Sequence, residues 1–200
     1  DVKPGDFGMI SFEFALCDNP GYVWLNAGAS ASSENGVTEP ERDDPTEDAA
    51  TVELLDGTLA LLWVDDGDGI LAATESRMLV DSLRNVLATL GTGVGVDLAG
   101  NLAAEARGGT VRNCFSGTDG GDTATTHSVV FAWAVPPGTA NALQSDAVTF
   151  DLGFYTEQCR RNDGVGLTTG LLGHYPFDGT ADDASGNDYD GTVVGDVSFV

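Results

Sequence analysis

Cations are what this chain has least of. Its 200 residues hold one lysine, Lys3, and seven arginines against 32 aspartates and glutamates, a formal charge of −24. Proteins that neutralise nucleic-acid phosphates need a basic face, and this composition excludes a nucleic-acid partner bound that way. Histidine is nearly missing as well. His127 and His174 stand alone, in no His-Glu-x-x-His pattern and beside no Gly-x-Ser-x-Gly elbow, so each reads as a strand-edge or surface imidazole. Three cysteines, Cys17, Cys114 and Cys159, have spacings that match no zinc or redox motif. No apolar run approaches the ~18 residues of a membrane-spanning helix, so no transmembrane segment is expected.

What is present points to a folded, strand-rich chain. A hydrophobic content of 42% is too high for a disordered acidic tail, and 27 glycines punctuate the sequence too often for a helical bundle. The acidity is mostly aspartate, and a surface of this charge repels itself at low salt. At molar ionic strength the Debye length shrinks to about 3 Å and the repulsion is screened. The composition therefore reads as adaptation to a very saline medium rather than as an ordinary acidic surface. The chain opens in the turn Lys3-Pro4-Gly5-Asp6 and stops in the strand-like run Val197-Ser198-Phe199-Val200, so it reads as a fragment at both ends.

Along the chain, residues 10–16 alternate strictly, with Ile10, Phe12, Phe14 and Leu16 on one phase, which predicts a half-buried strand. A second apolar run, Tyr22-Val23-Trp24-Leu25, precedes an acidic, proline-broken stretch over 34–48 that reads as an exposed loop. Residues 59–64 are continuously apolar, as in a central strand, and Asp65-Asp66-Gly67-Asp68-Gly69 turns the chain. Leu79, Leu83, Val86, Leu87 and Leu90 recur at helical steps, predicting one helix over about 75–90 that Gly91 ends in the left-handed conformation. Strands follow at 129–135 and 148–154. The expected core contains Phe12, Phe14, Leu61, Trp63, Phe131, Trp133, Phe150 and Phe154.

Several stretches resemble a known family. Asp1-Val2-Lys3-Pro4-Gly5-Asp6, Leu16-Cys17-Asp18-Asn19-Pro20-Gly21-Tyr22, Glu34-Asn35-Gly36 and Phe150 to Arg160 resemble haloarchaeal secreted proteins with camelysin-type signal peptides. Those are distantly similar to the bacterial TasA and camelysin biofilm-fibre proteins. The resemblance implies secretion, a jelly-roll-like β-sandwich over 1–160 whose N-terminal part is missing, and self-assembly by strand addition. His174-Tyr175-Pro176-Phe177-Asp178-Gly179, Asp182 to Asn187 and Asp190-Gly191-Thr192 resemble the opening of a laminin-G-type, concanavalin A-like domain. The resemblance implies the first strands of a second, truncated sandwich at 172–200, and the Asn-, Asp-, Gly- and Thr-rich stretch before it, with little hydrophobic content, reads as a linker at 161–171. The resemblance also implies a glycan or a surface protein as partner, often with calcium.

Candidate chemistry is sparse. Asp65, Asp66 and Asp68 offer calcium-type oxygens but lack the EF-hand register, and a solvated turn accounts for them. The resemblance makes Asp178, Asp182, Asp183 and Asn187 the preferred calcium set. No catalytic residue is singled out. Gly91-Thr92-Gly93-Val94-Gly95 follows a helix instead of opening one, so it reads as a turn and not a phosphate loop. Cys17 and Cys159 each end an alternating strand on its polar phase and form the favoured disulfide. Cys114 pairing with either, or with a cysteine outside this chain, is the alternative. The function expected is a secreted, non-catalytic surface or matrix protein of a halophile, and the alternatives are a secreted glycoside hydrolase or a lectin-like adhesin.

Overall fold

The computed structural model describes residues 2–17, 19–98, 100, 113–117, 126–160, 162, 164 and 166, nearly all within one unit, Asp1–Gly164. The alternation at the start of the chain becomes β1, Phe7–Ala15, and the Tyr22 run begins β2, Gly21–Ser33. A short helix α1, Leu54–Gly57, leads into β3, Leu59–Asp65, which turns back as β4, Arg77–Ser82. Then come α2, Leu83–Leu90, the two-residue β5, Val96–Asp97, the long β6, Thr126–Ala134, and β7, Ala147–Gln158. The result is an all-β sandwich. One sheet runs β1-β6-β3-β4 and the other β5-β2-β7, with every ladder antiparallel. The expected linker and second sandwich lie almost wholly outside the described residues.

Facing phases of the two sheets make the core. Val23 and Leu25 of β2 meet Leu62 of β3 and Val129 and Phe131 of β6, all at most 1% exposed. Aromatic rings bridge the sheets, Phe131 to Phe150 at 5.7 Å between centroids and Phe12 to Phe154 at 5.5 Å, edge to face. Each such buried side chain contributes roughly 1.5–3 kcal/mol. Phe154 is in the expected core list yet 38% exposed, because β1 and β7 are edge strands and its ring closes the open side between them. Trp63 is buried, but on the outward face. Its partner across the ladder is Val130, and its indole Nε1 donates to Asp65 Oδ1 at 3.2 Å.

The predicted helix is half strand. Residues 77–82 pair with β3, setting Leu79 opposite Leu62 and Val80 opposite Leu61. Only from Leu83 does the chain coil. Ser82, extended at ψ 151°, accepts from the Asn85 N–H and caps the helix. The leucine spacing that suggested a longer helix is satisfied by both halves, since Leu79 reaches the core from a strand while Leu83, Val86, Leu87 and Leu90 reach it from α2. Gly91 ends α2 at φ −78°, not left-handed, and donates its N–H to Leu87 O. Left-handed backbone comes later, at Gly93 (φ 59°) and again at Gly95 (φ 102°), where a Cβ would lie 2.1 Å from the Leu25 carbonyl oxygen.

The first five residues of β2, 21–25, are buried on both faces, and this explains the cysteines. Tyr22 and Trp24 point away from the core and are 2% exposed, covered by Val94, Cys114, Tyr155 and Cys159. The covering segment is held by Phe115 N–H to Gly21 O at 2.8 Å, the reciprocal bond at 3.1 Å, and a Cys114–Cys159 disulfide. The favoured Cys17–Cys159 bridge is therefore corrected. β1 and β7 lie in different sheets, so the polar phases of the two strands face opposite sides of the sandwich, and Cys17 is free and exposed. The bridge closes a 45-residue separation, worth about 2–4 kcal/mol. Cys114→Ala should lower the urea midpoint accordingly while Cys17→Ala leaves it unchanged. The opposite ranking would return the bridge to Cys17.

Candidate functional site

The calcium set expected from the second resemblance, Asp178, Asp182, Asp183 and Asn187, lies outside the described residues, as does His174. The Asp65 turn is described, and its Asp65 and Asp68 carboxylates already have partners. Asp65 Oδ2 accepts from the Gly67 and Gly69 amides at 2.9 and 3.1 Å, and Asp68 Oδ1 from the Ile70 amide at 2.7 Å. Glu75 accepts from the Asp66 and Ala72 amides. This is a turn closed by its own side chains. Beside it runs a groove lined in part by Asp65, Glu75, His127 and Ser128. There His127 Nε2 is bonded to the Ser116 carbonyl at 2.8 Å, its ring packed on Phe14 and Phe115. Ser128 Oγ bonds Ser11 Oγ. The groove's acids, imidazole and hydroxyl are held by structural bonds and not aimed at one reacting atom.

The acidic stretch after β2 is a largely exposed loop, as expected, but one that is docked on the sandwich and buries Glu41. Asn35 donates to Ser145 O, Ser145 Oγ to Gly36 O, and the Asn141 amide to Asp44 Oδ2, all within 2.9 Å, docking this stretch on residues 141–146. Glu41 is fully buried beneath it. Its carboxylate accepts from the Ser145 amide at 2.6 Å, the Thr38 amide at 3.0 Å and the hydroxyls of both residues. Burial alone would raise its pKa, yet these bonds hold it below the ordinary value.

Next to it the accounting fails. Both oxygens of Glu34, both of Glu47, Glu53 Oε2 and Asp146 Oδ1 are buried with no hydrogen-bond partner. One carboxylate oxygen each from Glu34, Glu53 and Asp146 lies within 4.8 Å of the others. Asp146 is 8% exposed, and its other oxygen accepts from the Leu54 amide at 2.8 Å. No described cation answers them, since Arg42 donates to Val37 O and Arg84 pairs with Asp56 at an exposed site. The Asp146 carboxyl opposite Glu34, burial, and the charges of Asp146, Glu47 and Glu41 raise the Glu34 pKa to about 7. Glu47 is raised by burial and by Glu53, Glu41, Asp146 and Asp48. Reading by motif missed this site because its acids come from the end of β2, a loop, the entry to α1 and the approach to β7. A compositional signal existed: five of the nine glutamates (Glu34, Glu39, Glu41, Glu47, Glu53) fall within twenty residues.

A second feature is apolar. On the outer face of the four-stranded sheet, Phe7, Ala134 and Leu59 form one row and Met9, Ala132, Leu61 and Val80 the next. Phe7 is 79% exposed, and Met9, Leu59 and Val80 are about half exposed or more. Ile70, on the turn that crosses toward Met9, is exposed too. Neither row holds a charged side chain. Exposed apolar faces of this kind mark contact surfaces. No family model matches the chain, and no curated protein matches it.

The raised acids fix a pH dependence. A carboxyl whose folded pKa lies above its unfolded value contributes stability below the unfolded value, lost as pH rises through the folded one. Glu34, from 4.5 to about 7, and Asp97, raised to about 6 by burial, both have that sign. The lowered acids Glu41 and Asp56 act in the opposite sense, below their ordinary values. In chelator-treated protein the urea midpoint should fall between about pH 5 and 8, and Glu34→Gln should flatten the decline. A wild-type midpoint that climbs over this range would contradict the assignment.

Proposed function

We propose that this chain belongs to a secreted, salt-adapted protein of a cell surface or extracellular matrix that works by contact and not by catalysis. The observation that carries the reading is the uncharged apolar outer face of the β1-β6-β3-β4 sheet in a chain of charge −24. Its occupant is a second copy. The two rows offer no charge to a basic partner, whereas two such faces bury apolar side chains against each other without burying a carboxylate. The repulsion between two acidic copies is screened at molar salt. Among the described residues the adjoining β1 ladders only with β6, and Glu13 is its one charged residue, so it suits strand addition into a fibre. This agrees with the TasA-like resemblance of residues 1–160. The laminin-G-like residues 172–200 extend the reading to a glycan or surface protein held by the downstream module.

The test is sedimentation velocity with negative-stain imaging in about 3 M and 0.1 M salt, spanning screened and unscreened regimes. Wild type should form oligomers or filaments at high salt. Met9→Glu combined with Val80→Glu, both at exposed sites, should leave monomers with an unchanged circular dichroism spectrum. Monomeric wild type in molar salt, or undiminished assembly of the double variant, would overturn the proposal.

A further inference from the structure

The buried acids at the foot of β2 have a chemistry that the contact function does not use. Six carboxylate oxygens there, from Glu34, Glu47, Glu53 and Asp146, are out of water and without a donor. A buried unpaired charge costs several kcal/mol unless a proton or a cation answers it. The Asp146 side chain makes the demand specific. It is more than nine-tenths buried, its Oδ2 accepts from the Leu54 amide, its Oδ1 has no donor, and one of its oxygens lies within 4.8 Å of an oxygen of Glu34 and of Glu53.

We propose that Glu34, Glu53 and Asp146, with Glu47 beside them, bind one Ca2+ ion that locks the 34–53 segment onto the sandwich. The donor set is all oxygen, with no imidazole or thiolate among the cluster's members, which selects a hard cation over zinc or copper. Oxygens bound to one Ca2+ at about 2.3–2.6 Å stand at most about 5 Å apart, and the three here lie within 4.8 Å of one another, so one ion can reach all three. Hydration then favours Ca2+, because Mg2+ gives up its waters reluctantly and is seldom held by a cage of protein oxygens alone. The Asp65-Asp66-Asp68 turn, equally close in space, makes the contrast. Its Asp65 and Asp68 carboxylates are occupied by backbone amides. The rival arrangement at Glu34 and Asp146 is a proton shared between the two carboxyls, which would give no response to calcium. The site stands whether or not the chain assembles.

The experiment is calorimetric Ca2+ titration and thermal melting of the full chain near pH 7.5, with CaCl2 or EGTA, for wild type, Glu53→Gln, Glu34→Gln and the control Asp66→Asn. Wild type should melt several degrees higher in CaCl2 than in EGTA, with MgCl2 giving a small fraction of that shift. Each Gln variant should melt above wild type in EGTA, since repulsion is relieved, and should weaken the calcium Kd about tenfold or more. Asp66→Asn should behave as wild type. Two results would overturn the site. One is a wild type indifferent to calcium, which assigns the cluster to a shared proton. The other is an equal calcium shift in wild type and both Gln variants, which assigns the effect to general surface acidity.

Discussion

The interaction on which this structure depends is the carboxylate accepting from a backbone N–H. With 32 acids and eight Lys or Arg, the chain cannot neutralise itself by ion pairs, and the ion pair among its described residues, Arg84 to Asp56, is half exposed. Such a surface pair adds about 1 kcal/mol at most. The acids are instead used to close turns. Asp44 and Asp48 tie the segment after β2, Asp65 and Glu75 shape the crossing from β3 to β4, and Glu41 fastens residue 145. Charge-assisted bonds of this type are stronger than neutral ones and need no cation. Where the supply of amides runs out, at Glu34, Glu47, Glu53 and Asp146, the acids are left to a proton or to the bound ion proposed above.

The apolar framework is organised around β2. Its inward phase enters the core and its outward phase is roofed by the disulfide-held segment at 113–117. Its first five residues, 21–25, are thereby shut off from solvent on both sides. Among the described residues, no such roof lies over the first two rows of the opposite sheet. The asymmetry gives the sandwich one outer face covered beside the start of β2 and one that invites a partner.

Much of this was legible in the sequence, and the failures have causes. Strict alternation announced β1 and β7, and continuous apolarity announced β3 and β6, because side-chain period follows directly from strand geometry. The 13-residue length of β2 was not legible. Its second half, Asn26 to Ser33, is small and polar, and is held in the sheet by its ladder to β7 and not by its own preference. β4 was read as helix because Leu79 suits both periods. The cysteine pairing failed because strand phase was known but sheet membership was not. The acidic cluster was illegible for the same reason: Asp146 lies 93 positions from Glu53, and only the fold brings them together.

Hydrogen exchange read residue by residue across 34–55 and 141–146, in EGTA and in CaCl2 at constant ionic strength, tests most directly the claim that an ion completes the carboxylate network. Calcium should slow the Leu54 and Ser145 amides, donors to Asp146 and Glu41, together with the amides between them and Glu34. The β3 and β6 amides should keep their rates. Unchanged exchange in the segment, or slowing spread evenly over the whole sandwich, would contradict it.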